Sequence, residues 1–450
     1  MGKLFGTDGI RGAANVYPMT AEMALNIGRA IVSLFRKDGH KAKIIIGKDT
    51  RMSGYMFEYA IVSGICSIGG DAHLAGTLPT PAVAYLTASM KADAGIVISA
   101  SHNPFYDNGI KIFKSDGYKL ADEKEAEIEA LVLNGRIASL CESVRETGKV
   151  FRIENAGKQY ADFLKAALPG ESLFKGMKIV LDCSNGATYR VAPQIFKDLG
   201  ADVEALFVSP DGRNINEKCG SQHPETLQKR VVESGADIGL AFDGDGDRLI
   251  AVDEKGNVIT GDQILAICAK SMKQKGILKN NLVVCTVMSN IGFKLALKDM
   301  GISYLMADVG DRYVLQEMRT SGAVIGGEDS GHTIFLDHHT TGDGILTAMK
   351  LIEAMKAEAK PLSELSRIMS VFPQILMNVT VKDKPEIETI PEIVNEIKAV
   401  EKSLGEKGRV LVRYSGTQPL CRVMVEGPTH AETERYCLQI VNAVQKKIGV

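Results

Sequence analysis

Lys43 to Gly76 reads "KIIIGKDTRMSGYMFEYAIVSGICSIGGDAHLAG". A short β-branched run opens it and enters a polar, glycine-containing loop. A helical pattern follows, then the Gly69-Gly70 turn, then a second apolar run. The opening run has the length of a buried strand, and the middle segment is too long for one and has helical character. Strand, loop, helix, strand is the building unit of a parallel or mixed sheet. The same order returns in "MKIVLDCSNGATYRVAPQIFKDLGADVEALF" from Met177 and in "NLVVCTVMSNIGFKLALKDMGISYLMADVG" from Asn281. The recurrence predicts three similar mixed-sheet α/β domains.

The tail follows another pattern. From Ser370 an apolar run, a helix-like Pro391–Leu404, the paired runs of "GRVLVRYSGTQPLCRVMVEG" and a final amphipathic helix from Ala431 predict an α+β domain. The expected domains are therefore 1–155, 156–254, 255–369 and 370–450. A chain of 450 residues suits such a division, since domains run to about 100–150 residues. A net charge of −2 gives no global attraction to nucleic acid or anionic membrane, so an anionic substrate must be held by local basic clusters. The eight cysteines form no CxxC pair, which argues against a disulfide scaffold and a structural zinc site. No segment approaches the ~18 continuous apolar residues of a membrane span. Gly6 stands where a myristoylation signal needs Ser or Thr. A cytoplasmic location is expected.

Four polar loops stand out. "SASHNPFYDNGIKIF", Ser99–Phe113, follows a buried-strand pattern and places Ser101 in a turn-rich loop. Ser101 reads as a nucleophile, a group carrier or a loop serine. "DGDGDR", Asp243–Arg248, sets three carboxylates at alternate positions with glycines between, a set of hard oxygens suited to Mg²⁺. An EF-hand would also place carboxylates so, with Glu254 at its twelfth position, but Arg248 stands where it needs Gly and the flanks read as strands. Arg248 could hold an anion beside such a cation. "GGEDSGH", Gly326–His332, offers Glu328 and Ser330 to vicinal hydroxyls of a sugar. "RYSGTQP" from Arg413, with Arg422 beyond it, joins two hydroxyls and two guanidiniums into a phosphate cradle. "DHHTTGDG", Asp337–Gly344, reads as a loop and helix start, because adjacent histidines rarely converge on one metal. Arg11, Lys48 and Arg51 sit on glycine-bounded loops, as surface ion pairs or as part of an anionic site.

"SASHNP", "DGDGDR", "GEDSGH" and "RYSGT.P..R" in this order resemble the α-D-phosphohexomutase superfamily over essentially the whole chain. "FGTDGIRG" and "TTGDG" are most similar to its phosphoglucosamine mutase branch. The resemblance implies four domains around a central cleft, each giving one loop. It implies Ser101 as a phosphoserine, with Ser101, Asp243, Asp245 and Asp247 holding one Mg²⁺ per chain. Glu328 and Ser330 would recognise the sugar, and Arg413, Ser415, Gly416, Thr417 and Arg422 the phosphate that is not reacting. Lys111 would transfer a proton, with its pKa lowered by the cation and nearby arginines. Arg248 would assist and Arg11 would bind substrate. His102 would order the loop more than act as a base, because neighbours in an extended strand face opposite ways.

The implied reaction interconverts glucosamine 6-phosphate and glucosamine 1-phosphate through a 1,6-bisphosphate, supplying UDP-N-acetylglucosamine and cell-wall precursors. Glucosamine or glucose 1,6-bisphosphate would activate it, and a homodimer is expected. The competing readings are a phosphomannomutase or phosphoglucomutase of the same superfamily and a Mg²⁺-dependent sugar phosphatase. Gln418 departs from the family's usual Glu and removes a negative charge beside the cradle.

Overall fold

The computed structural model describes residues 4–6, 8–36, 40–135, 137, 144, 146–170, 172–415 and 419–450. It forms two compact units, one of Met1–Val287 with Ser303–Arg367, the other of Met288–Ile302 with Ile368–Val450.

The first unit holds three sheets. Strands β1 (Ile10–Ala13), β2 (Lys43–Lys48), β3 (Asp71–Thr77), β4 (Ala94–Ile98), β5 (Asp107–Lys114) and β6 (Val150–Arg152) lie in the order β1-β5-β4-β2-β3-β6. β7 (Lys178–Asp182), β8 (Asp202–Leu206), β9 (Ile238–Phe242), β10 (Leu249–Asp253) and β11 (Val258–Ile259) lie in the order β11-β10-β9-β7-β8. β12 (Leu282–Thr286), β13 (Ser303–Ala307), β14 (Ile325–Gly327) and β15 (Thr333–Phe335) lie in the order β13-β12-β14-β15.

One four-strand motif therefore recurs: β3-β2-β4-β5, β8-β7-β9-β10 and β13-β12-β14-β15. In each, the first three strands are parallel and the fourth returns antiparallel to the third. The central parallel strands β4 and β9 read as unbroken apolar runs because both their faces are covered, and both are buried at every residue. The loops of Ser101, of the three aspartates and of Glu328 each join the third strand of a motif to its antiparallel fourth. They are one loop, used three times.

The second unit contains β16 (Gln374–Thr380), β17 (Arg409–Tyr414) and β18 (Leu420–Glu426), ordered β16-β18-β17 and antiparallel throughout. Helices Pro391–Leu404 and His430–Ile448 share its core through Ile393, Val400, Val423, Val425, Ile440 and Val444. Thr429 starts the last helix by accepting from the Glu432 N–H at 3.3 Å. The strand, helix, hairpin and helix of the expected α+β domain are all present.

Helix Ile291–Asp299, which lies in the third repeat along the chain, belongs with this second unit. Polar contacts tie its start there. The Ile291 N–H donates to Glu426 Oε2 at 2.9 Å, Arg409 Nη2 to the Ser289 carbonyl at 2.7 Å, and Asn290 Nδ2 to the Phe372 carbonyl at 2.9 Å. Among the described residues no helix is long and apolar enough to cross a membrane.

Candidate active site

The hairpin turns of the first unit's three sheets bring their polar residues to one place. Ser101 is buried with φ of 51°, a left-handed conformation uncommon for serine. Its hydroxyl donates to Asp243 Oδ2 at 2.5 Å. Ligand oxygens of Asp243, Asp245 and Asp247 all lie within 4.8 Å of one another, and all three residues are buried. Asp245 Oδ1 and Asp247 Oδ1 have no hydrogen-bond partner. Burial, then the charges of Asp247 and Asp245, push the Asp243 carboxyl well above the usual carboxylate range. Crowded acidic oxygens with unused lone pairs, free of nitrogen or sulfur donors, fit a hard divalent cation of the Mg²⁺ class.

Lys111 reaches this cluster from β5. Its Nζ lies 2.9 Å from Asp245 Oδ2, 3.1 Å from Asp8 Oδ2 and 3.6 Å from Asp247 Oδ2. Burial alone would lower its pKa, but Asp245, Asp8 and Asp247 outweigh burial and raise it. Asp247 is held below its ordinary range: burial opposes this, and Lys111, His332 and Arg248 overcome it.

His102 also departs from expectation. The left-handed Ser101 backbone is no extended strand, so the two side chains do not diverge, and His102 Nδ1 stands 3.4 Å from Ser101 Oγ. That is longer than a good hydrogen bond. Burial, then Arg248 and Arg11, lower its pKa to about 4, leaving a neutral ring. Arg248 is partly buried, its N–H donating to Asp243 Oδ1 at 3.2 Å. Arg11 pairs with Asp8, and Lys119 bridges Asp8 to Asp311.

In the third sheet's turn, Glu328 Oε1 accepts from the Gly310 N–H at 3.0 Å, and Ser330 Oγ donates to Oε2 at 3.3 Å. Ser330 is exposed. The turn joins the aspartate loop through the Arg248–His332 bridge and the Leu249 N–H to Gly331 carbonyl bond of 3.1 Å. His332 Nδ1 is 3.7 Å from Asp247 Oδ2 and Nε2 is 3.8 Å from Asp311 Oδ2. A Cβ on Gly342, in "TTGDG", would lie 2.4 Å from the His332 ring, so only glycine leaves room for it. His339 is packed edge-on to Phe163, with Nε2 3.0 Å from the Pro81 carbonyl, and Asp343 caps helix Gly344–Glu358. The "DHHTTGDG" segment is the expected loop and helix start.

Within the second unit, Arg413 and Arg422 stand directly opposite on β17 and β18. Lys384 Nζ donates to the Ser415 carbonyl at 2.6 Å. Gly416, Thr417 and Gln418 lie outside the described residues.

Several site residues carried little sequence signal. Thr80 donates Oγ1 to Asp245 Oδ2 at 2.6 Å and its N–H to the Asp245 carbonyl at 2.8 Å, from 165 residues away. Asp8 and His332 were visible only as members of quoted motifs. Lys48 and Arg51 are buried rather than in surface ion pairs, and Lys48 meets Glu58.

Four family models cover the chain. Phosphoglucomutase/phosphomannomutase alpha/beta/alpha domains I, II and III match residues 2–137, 158–256 and 260–372, and the C-terminal domain matches 376–443. The phosphoglucosamine mutase of Syntrophus aciditrophicus (strain SB) is 64% identical over 449 residues, spanning 100% of each chain. A phosphoglucomutase/phosphomannomutase family protein from Burkholderia thailandensis superposes with a TM-score of 0.80 at 24% identity, over 99% of each chain. The N-acetylphosphoglucosamine mutase of Aspergillus fumigatus, solved with GlcNAc-6P and magnesium, gives a TM-score of 0.68 at 17% identity over 98% of this chain and 95% of that one. The two structures establish the shared fold, and the sequence relative establishes the branch. This chain belongs to the phosphoglucomutase/phosphomannomutase family, in its phosphoglucosamine mutase branch.

Proposed function

We propose that the chain interconverts glucosamine 6-phosphate and glucosamine 1-phosphate, with Ser101 as the phosphoryl carrier. One observation carries this reading: a buried serine hydroxyl is aimed at three clustered aspartates, one of which also holds a lysine ammonium. Asp243, Asp245 and Asp247 would hold one Mg²⁺ per chain, with an oxygen of phosphorylated Ser101 beside them. When bound, the cation neutralises charge on the transferring phosphoryl group, the main demand of this chemistry.

Phospho-Ser101 gives its phosphoryl group to O1 of the 6-phosphate, and O1 loses its proton. The 1,6-bisphosphate turns over in the site, returns its 6-phosphoryl group to Ser101, and O6 regains a proton. A glucosamine or glucose 1,6-bisphosphate would therefore reload enzyme that has lost its phosphate. Lys111, within 3.6 Å of Asp8, Asp245 and Asp247, is placed to hold the phosphoryl group or to carry a proton. Arg248 and Arg11 add positive charge for the same group. Glu328 and Ser330 offer an acceptor and a hydroxyl to the sugar ring. Arg413, Ser415, Gly416, Thr417 and Arg422 would grip the phosphate at rest.

The product's use as a cell-wall precursor, a cytoplasmic site of action and a homodimer belong to the same reading. Ser101→Ala is expected to abolish turnover with folding intact, and the native chain to carry one phosphate on Ser101 by mass spectrometry after treatment with a hexose 1,6-bisphosphate. Near-normal turnover in the variant would sink the carrier role. Steady phosphate release in place of isomerisation would indicate a phosphatase, and faster turnover of glucose or mannose 6-phosphate would reassign the substrate.

A further inference from the structure

The carrier reading leaves open what keeps Ser101 in a backbone conformation that serine seldom adopts. Two carbonyls of its loop, those of Ser101 and Asn103, are each held twice. Arg51 Nη2 donates to them at 3.0 and 2.6 Å, and Asn216 Nδ2 donates to the same pair at 2.9 and 3.1 Å. Each carbonyl has two lone pairs, so both are saturated.

The two donors come from different sheets. Arg51 follows β2 and is fully buried; its Nη1 pairs with Asp49, and the Arg51 N–H donates to Asp49 Oδ1 at 2.8 Å. Asn216 comes from the loop after β8, and its own N–H donates to the Ser184 carbonyl at 2.9 Å. The loops around them are joined as well, by Met52 N–H to Gly212 carbonyl at 2.9 Å and Thr50 Oγ1 to Asn185 carbonyl at 2.6 Å. The aspartate loop rests on the same spot. A Cβ on Gly244 would lie 2.5 Å from the Ser101 carbonyl oxygen and 2.8 Å from Asn216 Nδ2. The glycine between Asp243 and Asp245 therefore lets the aspartates approach the serine's backbone, beyond any service to loop flexibility.

We infer that Arg51 and Asn216 form a clamp across two sheets that holds the Ser101 backbone left-handed and so aims its hydroxyl at the aspartates. Both are positioning residues, since neither touches the hydroxyl. The inference rests on Ser101 being the carrier.

Asn216 gives the cleaner test, because Arg51 is buried against Asp49. Asn216 is itself left-handed, with φ of 59°, and a rival account is that asparagine stands there only for its backbone. Asn216→Gly accepts that backbone but has no amide. Asn216→Asp keeps shape and backbone tolerance but presents oxygens to two carbonyls. The clamp predicts that both variants transfer the phosphoryl group from labelled phospho-Ser101 to glucosamine 6-phosphate in a single turnover about tenfold to a hundredfold more slowly. KM should stay within about threefold and the melting temperature near wild type, since the change is in aim rather than in ground-state binding. Wild-type transfer rates in both variants would overturn the clamp and leave the backbone account. Slow transfer in Asn216→Asp alone would also overturn it, by assigning the loss to the new charge. Ser101→Ala in parallel separates the readings: if that variant still turns over, the carrier itself is wrong.

Discussion

The Ser101 centre and the Arg413–Arg422 hairpin are both antiparallel turns read as phosphate sites, yet they are built in contrasting ways. Around Ser101, Lys111 and the three aspartates are buried and held by one another: Lys111 by three carboxylates, Asp245 by Lys111 and Thr80. In the hairpin, Arg413 and Arg422 are half-buried on neighbouring strands of a small sheet. A fixed, water-poor constellation can distinguish a transition state from a ground state, because its dipoles need no reorganisation as charge moves. Half-solvated arginines grip any phosphate dianion about equally at every stage. On the proposed reading, the first kind of site would govern kcat and the second KM.

Substitutions can break that division. Asp247→Asn, at the buried centre, is expected to lower kcat on the order of a thousandfold with far less change in KM. A loss carried mainly by KM in steady-state assays would erase the contrast. Arg422→Ala should do the reverse, raising KM about tenfold while kcat stays within about threefold.

A third effect sharpens the contrast through stability. Burial raises the Asp182 carboxyl, at the end of β7, to about 7, against the N–H groups of Gly220 and Ser184 that favour its charged form. Unfolded, it titrates near the ordinary ~3.9. Between those values the folded protein holds a proton that the unfolded chain has released. The stabilisation from this group is therefore full below about pH 4 and lost as pH rises through about 7, by roughly 4 kcal/mol at most. Asp182→Asn should flatten the fall in melting temperature between pH 5 and pH 8. An unchanged fall would show that burial of this carboxyl does not govern it.

The three repeats were legible because β-branched runs before glycine-containing loops announce buried parallel strands whatever surrounds them. The shared returning strand was not. β14 and β15 have three residues each, too short for any period. Of the site, the aspartates and Ser101 stood out because acidic alternation and turn residues are local signals. Thr80 and Asn216 had none and Arg51 only its charge on a glycine-bounded loop, since their roles consist of bonds to residues 50 to 165 positions away. His102 was placed in the right loop but misjudged in aim. A left-handed serine is a fact of the folded chain.

The division of the chain at Met288–Ile302 has a consequence measured in time. Helix Ile291–Asp299 leaves the ribosome about 120 residues before β18, whose Glu426 meets its first turn. At cellular rates of synthesis, that is a wait on the order of ten seconds. Phe293 and Leu297, fully buried in the finished protein, spend the interval before the second unit is complete. The second unit is thus begun early and finished last. A nascent chain stalled after Arg367 would hold a helix whose partner strands have not been made.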